Sequence, residues 1–330
     1  IASHKGHLEI VRLLIESGGS VNQADNDTDV TPLWIASYQG HLEIVRFLIE
    51  SGGSVNQARQ DGATPLFIAS STGHLEIVRL LIELGGSVNQ ADNEEFTPLY
   101  IASEKGHLQI VRLLIESGGS VNQADCHGAT PLWIATCAGH LEIARFLIES
   151  GGSVNQAEND TGATPLYIAS IKGHLEIVRF LIESGGSVNQ ARQDGATPLW
   201  IASEKGHLGI VRFLIESGGS VNQARQDGAT PLWIASHKGH LEIVRFLIES
   251  GGSVNQARQD GATPLFIASY NGHLEIVRLL IESGGSVNQA DNEEATPLFI
   301  ASQEGHLETA RLLIESGGSV NQAHNEEATP

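Results

Sequence analysis

From Thr64 to Ala91 the apolar positions mark two short helices with a glycine between them. Thr64 is a good N-cap, and Pro65 suits the first helical position, where a missing N–H costs nothing. Leu66, Ile68 and Ala69 line a short helix that Gly73 breaks. The run from His74 to Glu83 is a second helix. Its Leu75, Val78, Leu81 and Ile82 recur at i, i+3, i+6 and i+7, an apolar stripe at helical period. Glu76 and Arg79, three apart, can pair on the polar side. Gly85-Gly86 ends the helix, and Ser87-Val88-Asn89-Gln90-Ala91 leads into a polar turn. The pattern predicts helix, turn, helix and an extended loop.

This pattern fills the chain. T-P-L starts at Thr31, Thr64, Thr97, Thr130, Thr164, Thr197, Thr230, Thr263 and Thr296, and a truncated T-P stands at Thr329-Pro330. The spacing is 33 residues, or 34 between Thr130 and Thr164. A Gly-His pair recurs ten times in phase, from Gly6-His7 to Gly305-His306. Helices this short are marginal alone, and each leaves apolar surface without a partner in its own unit. Stacking supplies the partner. The expected architecture is an all-α repeat solenoid, one array over residues 1–330 with truncated end units, roughly 90 Å long at ~8–10 Å per helix pair. Ile1 falls inside a repeating unit and the chain has no Met, as expected of a piece of a longer protein.

Together these features resemble the ankyrin repeat over essentially the whole chain. The resemblance rests on the 33-residue period, Thr-Pro-Leu at the first helix start, Ala36 and Ala69, Gly-His between helices, Leu-Glu-Ile-Val in the second helix, and the Gly and Val-Asn before the loop. It implies stacked antiparallel helix pairs joined by β-hairpin-like loops. It also implies a concave groove of loop tips and first helices, usually used to bind proteins. There are two departures. Where the family usually has His after T-P-L, this chain has Trp34, Phe67, Tyr100, Trp133, Tyr167, Trp200, Trp233, Phe266 and Phe299. Where the family's loop often has Asp, it has Arg59, Arg192, Arg225 and Arg258. The hydrogen bonds of those family residues do not carry over.

Most columns barely change between copies, and two groups do. One lies just before Gly-His and includes Tyr38, Glu104-Lys105, Lys172, Glu204-Lys205, His237-Lys238 and Tyr270. The other is the loop tip: Arg59-Gln60-Asp61, Arg192-Gln193-Asp194, Arg225-Gln226-Asp227 and Arg258-Gln259-Asp260. Asp92-Asn93-Glu94, Asp125-Cys126-His127 and His324-Asn325-Glu326 are further versions of the tip. Packed columns tolerate little change, because volume errors cost ~1–3 kcal/mol; surface columns vary freely. Both groups are expected to line a groove that binds a partner protein. Reversing Arg192, Arg225 and Arg258 to Glu is expected to alter partner capture without unfolding the array. The alternative is structural: near-identical copies without polar end caps would assemble head to tail into filaments. A third reading is a regulatory or tethering segment of a larger protein.

Charge narrows the partners. The chain has 39 acidic against 19 basic residues, a formal −20, which argues against nucleic acid and anionic lipid and favours a partner with a basic region. No apolar run approaches the ~20 residues that span a bilayer, so no direct membrane insertion is expected. Two cysteines make no disulfide framework, and a reducing, cytoplasmic setting is expected. The sequons at Asn26-Asp27-Thr28 and Asn159-Asp160-Thr161 read as coincidence in Asn-rich loops.

Candidate chemistry is sparse. The ten His after Gly are expected to tie the inter-helix turn; copies ~8–10 Å apart do not share a metal that needs ~2.1 Å contacts. Cys126, His127, Cys137 and His140 share one unit but are spread along it, and read as free thiols and structural histidines. The aromatic column reads as a packing seam, and Phe47, Phe146, Phe180, Phe213 and Phe246 as core. Ten Arg in one column, beginning Arg12, Arg46 and Arg79, read as frame charges. Every candidate catalytic residue is either multiplied through the repeat or alone in a variable column. The segment is expected to be no enzyme and to hold no metal or cofactor.

Overall fold

Each Thr-Pro-Leu among the described residues starts a helix by the mechanism its residues dictate. Thr197 has extended backbone, its hydroxyl accepts the Trp200 N–H at 3.1 Å, and Pro198 takes the first helical position. The first helix Pro198–Lys205 ends at Gly206 in the left-handed conformation. The second helix Leu208–Glu216 follows, and Gly218 (φ +90°) turns the chain out of it. A computed structural model describes residues 1–25 and 29–321 of the chain. Among these, twenty helices follow in pairs and no strand occurs, so the fold is an α repeat solenoid. The Asn26 sequon, the tip His324-Asn325-Glu326 and Thr329-Pro330 lie outside the described residues.

The helices form two compact units, Ile1–Asp160 and Thr161–Pro330. Within each, first helices of neighbouring repeats pack closely, whereas second helices meet more sparingly. Each unit therefore curves with its first helices on the inner side.

Burial comes from the neighbour. Ile44 and Leu48 are 2% and 0% exposed beneath the preceding pair, whereas Ile10 and Leu14, the same columns in the first pair, are 49% and 54% exposed. The buried stripe matches the expected one only at Val78 and Leu81. Ile77, Val78 and Leu81 are buried, while Leu75 and Ile82 are only half-buried. The Ile77 column faces the preceding repeat, a surface that no single-helix period reveals.

Two further expectations are corrected. Phe47, Phe146, Phe180, Phe213 and Phe246 are half-buried, not core. Arg12, Arg112, Arg179 and Arg212 of the preceding repeats lie 4.7, 4.3, 4.4 and 4.8 Å over the rings of Phe47, Phe146, Phe213 and Phe246. A guanidinium attracted to a ring face needs that ring near the surface. Arg79 does approach Glu76 at 3.8 Å, as its spacing predicts.

The histidines tie repeats, not their own turn. Nε2 of His240 lies 3.0 Å from the Glu204 carbonyl of the preceding repeat, and His207, His273 and His306 repeat the contact in the same unit. A carbonyl only accepts, so Nε2 carries the proton. The bond satisfies a carbonyl at a helix end that lacks an intrahelical partner. The glycine of Gly-His makes room for it: a Cβ on Gly206 would stand 2.8 Å from His240 Cε1. The asparagines of Val-Asn-Gln form a second tie. Asn222 Nδ2 donates to the Gly251 carbonyl at 3.0 Å, and its Oδ1 accepts the Ser253 N–H at 2.8 Å.

Candidate functional site

The loop tips are built on a short hairpin-like turn. Arg225 N–H donates to the Ala229 carbonyl at 2.9 Å, and Gly228 (φ +87°) N–H donates back to Arg225 at 2.8 Å. Neighbouring tips join through a backbone rung, Gln226 N–H to the Asp194 carbonyl at 2.9 Å and Gln259 N–H to the Asp227 carbonyl at 2.8 Å, and a side-chain bond, Nε2 of Gln226 and Gln259 to the Gln193 and Gln226 carbonyls at 2.6 Å. In the other unit, Asn93 N–H reaches Asp61 at 2.9 Å.

The three residues of a tip have different fates. Arg59, Arg192, Arg225 and Arg258 each place a guanidinium over the aromatic ring of the preceding repeat, at 5.1 Å from Trp34, 5.4 Å from Tyr167, 4.9 Å from Trp200 and 4.8 Å from Trp233. Each also bonds the carboxylate two residues on: Asp61, Asp194, Asp227 and Asp260, the Arg192–Asp194 contact being 3.0 Å. Partial burial pushes the Asp227 carboxyl up, but hydrogen bonds from Arg225 and the Ala229 N–H outweigh it and hold it below the usual carboxylate range. Gln60, Gln193, Gln226 and Gln259 are exposed, as is Asp260. The arginines are therefore packed parts of the frame, and reversing them would set Glu against Asp across a lost ring contact. Reversal would therefore disturb the local packing of these tips as well as any contact they make with a partner.

Beneath the tips the aromatic column is a seam, as its sequence position suggested. Trp34, Tyr100, Tyr167, Trp200 and Trp233 are all buried. The indole N–H of Trp200 donates to the Ala229 carbonyl of the next repeat at 3.0 Å, and Trp233 to Ala262 at 2.9 Å. Where the ring is Tyr or Phe this particular bond has no donor, and other contacts stand in, such as Arg192 over Tyr167 and Phe96 stacked on Tyr100 at 4.8 Å. Burial pushes the Tyr167 hydroxyl up to about 12, with Arg192 opposing. The unfolded-state tyrosine ionises at about 10, so the stability from neutral Tyr167 is intact below pH 10 and is lost as the pH rises towards 12. Tyr167→Phe should therefore flatten part of the alkaline loss of stability, measured by thermal unfolding from about pH 9 to 12. Unchanged pH dependence would exclude this contribution.

The two variable groups share one face. Trp233 stacks with His237 of its own helix at 5.5 Å between ring centroids, and the tip residue Arg258 covers the same indole. Trp34 likewise stacks with Tyr38 at 5.7 Å beneath Arg59. Burial and the neighbouring Lys238 push the His237 imidazole below its ordinary value, favouring the neutral ring. Tyr270, Lys105, Lys172, Lys205 and Lys238 project into solvent, and Glu104 and Glu204 bridge to Lys105 and Lys205 at 3.3 and 3.2 Å. Cys126 is exposed and Cys137 half-buried; no group of three or more possible metal ligands occurs among the described residues. No helix among them is long and apolar enough to cross a membrane.

A family model described as ankyrin repeats (3 copies) matches residues 1–59, 51–125, 118–192, 184–258 and 250–324. No curated protein matches the chain.

Proposed function

Because the chain belongs to the ankyrin-repeat family, whose repeats are in general protein-interaction modules, we propose that it binds a partner protein along the face shared by loop tips and first helices. One observation carries this reading. The frame holds the backbone of the variable residues, while Lys172, Lys205, Gln226, Lys238, Gln259 and Tyr270 stand exposed on it. The carbonyls of Glu204, His237 and Tyr270 are held by the histidines of the following repeats, and the tip residues by backbone rungs. Side chains are thus displayed at fixed points, and little ordering entropy is lost on binding. The fold is typically non-catalytic, in keeping with this role.

Site-specific photocrosslinking tests the reading. A photoreactive residue at Gln226, on an exposed tip, should capture a discrete partner band from cells that express the chain. The same residue at Glu242, on the exposed side of a second helix, should not. Equal capture from both positions would remove the tip face as the binding surface.

A further inference from the structure

Building on that protein-binding reading, we infer that residues 161–262 take an extended acidic segment of the partner, with a carboxylate about every third residue. The sequence as a whole carries −20, but the charge is unevenly spread. Outside the second helices, residues 1–160 hold three cations and eleven carboxylates, and residues 263–330 hold six carboxylates and no cation. Residues 161–262 hold six cations (Lys172, Arg192, Lys205, Arg225, Lys238 and Arg258) against Asp194, Glu204, Asp227 and Asp260. All ten belong to the two variable groups. This strip is net positive in a strongly acidic chain. At physiological ionic strength charges beyond ~8 Å are screened, so a ligand on the strip responds to it and not to the distant excess. The basic partner expected from total charge is the wrong sign for this part of the face.

The cations differ in availability. The arginines are held over rings and bonded to Asp, with side chains only 29% to 34% exposed. Lys205 is bridged to Glu204 at 3.2 Å. Lys172 and Lys238 are exposed and form no ion pair among the described residues; the residues before them are Ile171 and His237, where Lys205 has Glu204. They are the uncompensated charges. Each lies one repeat from Lys205 on either side. Packed helices are ~8–10 Å apart, and a polyproline II segment rises ~3.1 Å per residue with three residues per turn, so one turn spans one repeat and returns every third side chain to the same face. A polypeptide carboxylate at every third residue matches one cationic step per repeat. A nucleic acid, with its much denser charge, does not.

The test is selection of a random twelve-residue peptide display library on the full chain and, in parallel, on Lys172→Glu/Lys238→Glu. The wild-type chain should enrich peptides with Asp or Glu at three-residue spacing. The best of these, made as a fluorescent peptide, should bind the variant at least tenfold more weakly and lose affinity as salt rises from about 0.1 to 0.5 M. Lys172→Gln/Lys238→Gln should show a smaller loss, and matching circular dichroism should establish that all three chains are folded. Basic or uncharged winners, no enrichment, or equal binding by the variants would each overturn the inference. So would displacement of the peptide by a short single-stranded oligonucleotide at lower concentration than by the unlabelled peptide. A partner crosslinked at Gln226 whose capture ignores both lysines would sustain the protein-binding reading and sink this one.

Discussion

Gly206→Ala is expected to destabilise the Thr161–Pro330 unit by about 2–3 kcal/mol, far more than a surface methyl should. Two costs combine. Gly206 has φ +81°, and an L-residue held in that region costs ~1–2 kcal/mol. The added Cβ would also lie 2.8 Å from His240 Cε1, so the imidazole must move. It then gives up its 3.0 Å bond to the Glu204 carbonyl, worth ~1 kcal/mol. The two contributions separate in a double-mutant cycle with His240→Ala. Once the imidazole is gone, Gly206→Ala should retain only the backbone cost, leaving a coupling of ~1 kcal/mol in urea unfolding. Additive effects would mean that the glycine serves its own turn and not the histidine.

The second large effect is Trp233→Ala, with an expected loss of ~3–5 kcal/mol. The indole is 4% exposed, donates to the Ala262 carbonyl at 2.9 Å, and lies beneath both Arg258 and His237. Trp233→Phe keeps most of the volume and loses chiefly the hydrogen bond, about 1 kcal/mol. Urea denaturation should rank the two variants in that order; equal losses would assign the stability to the N–H rather than to packing. Stability in a stacked array is a sum of repeat and neighbour-interface contributions. The damage should therefore be local. Hydrogen exchange should quicken most at the 258–262 tip and the helix Pro231–Lys238, the two elements that carry the proposed binding side chains.

Much of this molecule is legible in its sequence because the determinants are local. Thr-Pro fixes the start of each first helix through one hydroxyl and one ring, Gly-His fixes its end, and a helical period marks the amphipathic second helix. Repetition of these signals implies the stack, since no pair can bury its own apolar face. The variable columns were legible too, as the positions at which nearly identical copies differ.

What the sequence did not determine is which side chain meets which across a repeat boundary. The stripe of Leu75, Val78, Leu81 and Ile82 describes one helix correctly and still misses Ile77, which is 2% exposed because the preceding repeat covers it. Phe47 and its copies look like core by type, yet they are only half-buried, and Phe47, Phe146, Phe213 and Phe246 lie under an arginine of the preceding repeat. The tip arginines look like free surface charges, and stacking places each over a ring some 25 residues earlier with a carboxylate at its side. The signal for that triad was present, since Arg at the tip recurs with Asp two residues on, but only the packed geometry supplies the ring. Helix starts, stops and periods are set by contacts within a few residues. The partner of a histidine, the cover of a ring and the local sign of charge on the inner face are set by contacts about one repeat away, and these exist only once the helices are stacked.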